Sequence, residues 1–223
     1  LLSFLSFMPG VFLFFFKNVE NVQEDSLKEG NIRNLKSIVL QPRFLQAITA
    51  AAFAYAVMSF LMTATPLSMH VMENMSLKET GLVLQFHVVA MFLPSLITGN
   101  LIKKYGHSAI IYGGVLFFFI TVLLSLFEQT YLNYMLSLIF LGLGWNFLFI
   151  SGTSLVVLTY NKEEKFKVQG INDLIVFSTM ALASLSAGIL LNSIGWKMMN
   201  IICIPFLILI ILVSFVADKK SVS

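Results

Sequence analysis

The chain has 223 residues, 58% hydrophobic and 11% charged, with a mean hydropathy of +0.89. This excludes an ordinary water-soluble domain, in which about a quarter of residues are charged. The formal charge of +3 is small and its basic residues lie between apolar blocks, so membrane orientation accounts for them and nucleic acid is not an expected partner. Cys203 is the only cysteine, which excludes an internal disulfide and a cysteine metal cluster.

Residues 1–16 are apolar, begin Leu1-Leu2-Ser3 and lack a basic start, so they read as the end of a truncated transmembrane helix and not as a signal peptide. Residues 17–43 read as a cytoplasmic linker with five bases and four acids. Within it Ile32, Leu35 and Ile38 or Val39 stand at helical spacing before Pro42, which predicts a short interfacial helix, with a solvated linker as the alternative. Apolar blocks follow at 44–70, 81–102, 107–127, 131–160, 168–192 and 196–217. Each has about the 20 residues needed to cross a hydrocarbon core. They are too long and too evenly apolar for barrel strands, and a backbone in lipid must bond to itself. The expected fold class is an all-α integral membrane protein, with a six-transmembrane-helix domain over 44–217 and a tail over 218–223.

Basic residues alternate between connections. Lys17, Lys28, Arg33, Lys36 and Arg43, then Lys103 and Lys104, then Lys162, Lys165 and Lys167, then Lys219 and Lys220 share one side, which predicts a multi-pass plasma or inner membrane protein with a cytoplasmic C-terminus. Asn74-Met75-Ser76 has the pattern of a glycosylation acceptor in an outer loop and reads as incidental.

Polar side chains within spans are costly and usually face a bundle interior or a water-filled cavity. His87, beside Gln85, is a candidate for the substrate or proton pathway; a neutral histidine bonded between helices is the alternative. Asn146 lies mid-span in Gly142-Leu143-Gly144-Trp145-Asn146, either facing a cavity or bridging two helices. Asp173, with Gln169 and Asn172 nearby, is either a proton-coupling carboxylate or the partner of Lys103 or Lys104. Thr63, Thr65 and Pro66 mark a kink or break. Ala183, Ser184, Ala187 and Gly188 read as a helix-packing face. The abundant Phe and Met residues read as lipid-facing or core filler.

The stretch Gly99-Asn100-Leu101-Ile102-Lys103-Lys104-Tyr105-Gly106-His107 resembles the short loop signature of the major facilitator superfamily, at the position of that family's second copy. Gly99 is expected to let helices approach and Gly106 to permit an abrupt turn, with the lysines at the anionic membrane face. Lys103 stands where the family has an acid, so that acid's role does not carry over. Val168-Gln169-Gly170-Ile171-Asn172-Asp173, with Gly188 to Leu191 and Gly195-Trp196, is similar to the penultimate helix of bacterial members. The resemblance implies the C-terminal half of a secondary active transporter. Its partners would be an N-terminal half, the lipid bilayer and a small solute moved by alternating access, with protons as the candidate coupling ion.

No phosphate-binding GxxxxGK[ST], HExxH or GxSxG occurs, so neither an ATP motor nor an enzyme is expected, and no cofactor, metal or catalytic residue is assigned. A non-transporting membrane scaffold or assembly protein on the same helices is the alternative function.

Overall fold

The computed structural model describes residues 33–222, so the expectations for 1–16 and for the first part of 17–43 lie outside it. Helix α1 (Leu35–Val39) opens the described chain, capped by Asn34, whose side chain accepts from the Lys36 amide at 3.1 Å. Its Ile38 is buried in the common core, so this short helix is fastened to the bundle.

Helix α2 (Pro42–Pro66) begins with a proline in its first turn, where a missing N–H is not needed. Pro66, at its other end, withholds the amide that would bond Met62 O, and the chain widens into a π-helical turn, Leu67–Met72. The Thr65 hydroxyl donates to Leu61 O at 2.8 Å beside this change of pitch. Helix α3 (Leu77–Phe92) starts from a reciprocal capping box between Ser76 and Glu79. Pro94 interrupts it, and α4 (Ser95–Tyr105) completes the same pass. Gly106, at φ 84°, turns the chain directly into α5 (His107–Ser125), a conformation that a side chain would strain. Thr130 caps α6 (Tyr131–Val157), whose Asn133 amide it accepts at 3.3 Å. Helices α7 (Lys165–Ile202) and α8 (Ile204–Val222) close the chain.

The apolar stretch Lys162–Lys220 runs for 59 residues, which as a straight helix would be roughly 88 Å, far more than one bilayer crossing. Gly195 breaks it, with φ 75° and ψ 169° inside α7, so this stretch makes two passes. The described residues thus make six passes: α2, α3 with α4, α5, α6, α7 up to Gly195, and the rest of α7 with α8. The protein is an all-α, multi-pass membrane bundle.

Helices α2 and α6 are central. α6 lies against α5, α2 and α3, while α2 also touches both arms of the last two passes. Small residues make these contacts close. A Cβ added at Gly152 would fall 2.7 Å from Ala47 O, and one at Gly142 would fall 2.7 Å from His87 O, so backbone meets backbone at both crossings. The Ala183 to Gly188 stretch faces α2, where Ser184 Oγ and Thr63 Oγ1 lie 3.0 Å apart. Among the described residues Gly99 joins no helix pair: a Cβ there would meet open space, because α4 runs along a thinly covered edge.

Two ion pairs fasten the end of the bundle that carries the C-terminus and the basic connections, called here the basic end. Arg33 donates to Glu164 from its backbone amide and from Nε, each at 3.0 Å, and from its terminal nitrogen at 2.7 Å, and it reaches Thr159 O at 3.0 Å. The bond to Glu164 is the first cause of a guanidinium pKa raised above its ordinary value. Arg43 bonds Asp218 at 2.9 Å and Gln46 at 2.8 Å. Asp218 also accepts from the hydroxyls of Ser108 and Tyr112, which ties α2, α5 and α8 together. Asp173 takes no part in this fastening. Among the described residues it pairs with neither Lys103 nor Lys104 and accepts only from its neighbour Asn172, at 3.1 Å.

Candidate functional site

The break in α3–α4 lies near the middle of its pass, and it organises the polar side chains around it. Pro94 has no N–H to offer Ala90 O, so the ladder is interrupted there. Asn146, fully buried on α6, splints the break: Nδ2 donates to Met91 O at 2.6 Å and to Ser95 Oγ at 2.7 Å, and Oδ1 accepts from Thr98 Oγ1 at 2.7 Å. All the strong hydrogen-bonding capacity of the amide is directed to the neighbouring pass.

His87 is equally buried and sits one crossing away. Its Nδ1 donates to Leu138 O at 2.7 Å, and among the described residues its Nε2 has no partner. Gln85, two residues back, is exposed on the opposite side of α3. On α7, Asn172 is buried and its Oδ1 has no partner among the described residues, Gln169 donates to the Tyr160 hydroxyl at 2.8 Å, and Asp173 is exposed. The structure therefore splits the sequence candidates. His87 and Asn146 join α3–α4 to α6 inside the protein, whereas Gln85 and Asp173 lie on a face that this chain leaves open. Lys103, Lys104 and Gly106, with Leu101 a turn earlier, form the α4–α5 corner at the basic end, about 20 Å along the pass from the mid-depth groups.

The same open face carries aromatic rings, whose phenylalanines sequence reading assigned to lipid contact or core filler. Tyr55 of α2 lies 5.3 Å from Trp145 and 5.0 Å from Phe149 of α6, both edge to face, and 6.1 Å from Phe177 of α7. Trp145 stacks on Phe149 at 4.9 Å and meets Phe92, the last residue of α3, at 5.9 Å. Five rings from four passes thus meet beside the α3–α4 break.

A cavity of about 550 Å³ opens elsewhere, between α2 and the two arms of α7, lined by residues such as Phe53, Phe60, Leu182, Leu190 and Cys203. Its wall is almost wholly apolar and excludes His87, Asn146 and Asp173, so it offers space without directed chemistry. No cluster of three or more His, Cys, Asp or Glu suited to a metal is found among the described residues.

Six apolar passes, one of them broken at mid-depth and splinted by a buried amide, with an incompletely covered face, define a membrane protein of the transporter class. The model of the Major Facilitator Superfamily matches residues 47–223, and the chain belongs to that superfamily, a family of transporters and not of enzymes. It is 39% identical over 179 residues to the riboflavin transporter RfnT of Brucella anthropi, covering 80% of this chain and 45% of that protein. It is 27% identical over 188 residues to YdeG, an uncharacterized MFS-type transporter of Bacillus subtilis, covering 83% of this chain and 44% of that one. The chain spans less than half the length of these curated relatives.

Proposed function

We propose that this chain is the C-terminal half of a secondary active permease, moving a small solute by alternating access against an N-terminal half, with its C-terminus in the cytosol of a plasma or inner membrane. The observation that carries this reading is Asp173. It is an exposed carboxylate two turns inside a membrane pass, with no ion partner among the described residues. A charge there is costly against lipid and suits a water-filled cavity enclosed by a second half. Supporting it, only 22% of the apolar core of the α3–α4 pass is buried by this chain.

Protons are the proposed coupling ion, with Asp173 and the free Nε2 of His87 as the groups that would take them up. The test is uptake of a solute panel by the full-length protein in proteoliposomes under an imposed proton gradient, with riboflavin, the solute named for the Brucella relative, at its head. The expected result is gradient-driven uptake that falls at least tenfold in Asp173→Asn or His87→Gln while thermal stability holds. Undiminished uptake in both variants removes these residues from coupling. No uptake of any solute by folded protein favours the scaffold reading.

A further inference from the structure

The five-ring cluster has a placement that core filler does not require. Tyr55, Phe92, Trp145 and Phe177 each lie a dozen or so residues from an end of their pass, on the order of 20 Å, and so share one depth near the membrane middle. They come from four passes, and they meet where α3–α4 is broken.

Their exposure is graded. Trp145 is 4% exposed and forms the floor, Tyr55 and Phe149 are half-buried, and Phe177 and Phe92 are 51% and 59% exposed at the rim. Among the described residues the buried indole Nε1 has no acceptor and the Tyr55 hydroxyl makes no hydrogen bond. Two polar side chains flank the rim by helical spacing. Asp173 is one turn from Phe177 on the same face of α7, and Gln85 is two turns from Phe92 on the same face of α3. Asp173 lies about 6 Å from the ring layer towards the basic end and Gln85 about 10 Å from it towards the other end, and a face bearing a carboxylate and a carboxamide on either side of the membrane middle is not a lipid face.

On the permease reading above, we propose that these rings form this half's wall of the solute site, and that the solute is a planar heteroaromatic molecule with polar edge groups. The ring plane would lie on Tyr55 between Phe92 and Phe177, by stacked or edge contacts of the kind aromatic pairs prefer. Its edge would reach the Tyr55 hydroxyl and, one turn towards the basic end, Asp173.

The test uses purified full-length protein and measures binding directly, by quenching of lumichrome fluorescence and by competition with adenine, with sorbitol and proline as non-aromatic controls. Phe92→Leu and Phe177→Leu keep bulk and apolarity at rim positions but remove the ring, so the fold should hold. Each is expected to weaken lumichrome binding about tenfold, a typical worth of one stacking contact, while Phe92→Tyr and Phe177→Tyr bind like the parent. Leucine variants that bind as tightly as the parent overturn the proposal. So does a parent that takes up non-aromatic solutes under a gradient yet binds neither flat probe. Ring-dependent binding without gradient-driven uptake would support the site while refuting the permease reading, so the two failures are separable.

Discussion

The α2 pass and the α3–α4 pass are equally apolar by mean hydropathy, yet 67% of the apolar core of the first is buried within the chain and only 22% of the second. Composition therefore says that both enter the membrane and nothing about what each faces. The difference lies in small residues. Helix α2 has a row of alanines that meets Gly152 of α6 at backbone distance, and its other sides receive α7 and α8. The α3–α4 pass has one such crossing, at Gly142, and beyond Pro94 it runs with open space at Gly99. In a bilayer, close backbone approach and interhelical hydrogen bonds hold passes together, because lipid already satisfies apolar side chains. A pass with few such contacts is held loosely by its own half and is free to face another.

The largest test of this contrast is to fill the glycines. Gly152→Leu should force α2 and α6 apart, since the nearest atoms are the backbone of Ala47 and Ala51 and cannot rotate away. A loss of about 3 kcal/mol or more is expected, seen as collapse of the melting transition in detergent and of folded yield. Gly142→Leu should act similarly at the α3–α6 crossing, through His87 O and Met91 N. Gly99→Leu, on the same pass as the second crossing, should leave the transition unmoved. Equal damage from Gly99→Leu would erase the distinction between the two passes.

The six passes were legible because each apolar block is long and its polar connections are short. The corner at Gly106 was legible too, because a glycine between two spans has few other uses. Asp218 was not, since its partner Arg43 is 175 positions away and nothing local marks the pair. For Asp173 a lysine partner was one of two open readings, and among the described residues it pairs with neither Lys103 nor Lys104. The break at Pro94 had a visible signal in a proline within a span, but its splint, Asn146, is a contact between distant segments. The aromatic wall was the least legible part. With 22 phenylalanines in the chain, only the fold distinguishes the three that gather around Tyr55 and Trp145 from those that face lipid.

A smaller effect sharpens what the open pass still owes to its neighbour. Asn146→Ala removes both donors and the acceptor that bridge the α3–α4 break, leaving Met91 O and the Ser95 hydroxyl to find other partners, while the Thr98 hydroxyl keeps Pro94 O at 2.8 Å. The expected loss is about 1–3 kcal/mol, the usual cost of buried groups left unsatisfied. It should be local, so hydrogen exchange should quicken in Leu93–Ile97 and the residues on either side, while α2 stays protected. Uniform loss of protection would show that the break is held by the whole bundle and not by this amide.

The smallest expected effect lies at the basic end, where the comparison changes sign, because here the ends are fastened by charge and not by small residues. Arg33→Ala removes the side-chain ties from the segment before α1 to Glu164 and Thr159 and leaves only the backbone amide on Glu164. The Glu164 side chain is buried but the Arg33 guanidinium is about two-fifths exposed, and an ion pair open to water on one side contributes little and is weakened by salt. Thermal stability should fall less than in Asn146→Ala, and the difference from the parent should shrink as ionic strength rises. Glu164→Gln, which keeps the shape and removes the charge, should reproduce most of that fall. If the glutamine variant instead matched the parent, the clasp would act through its neutral hydrogen bonds, and the electrostatic account of this end would be wrong.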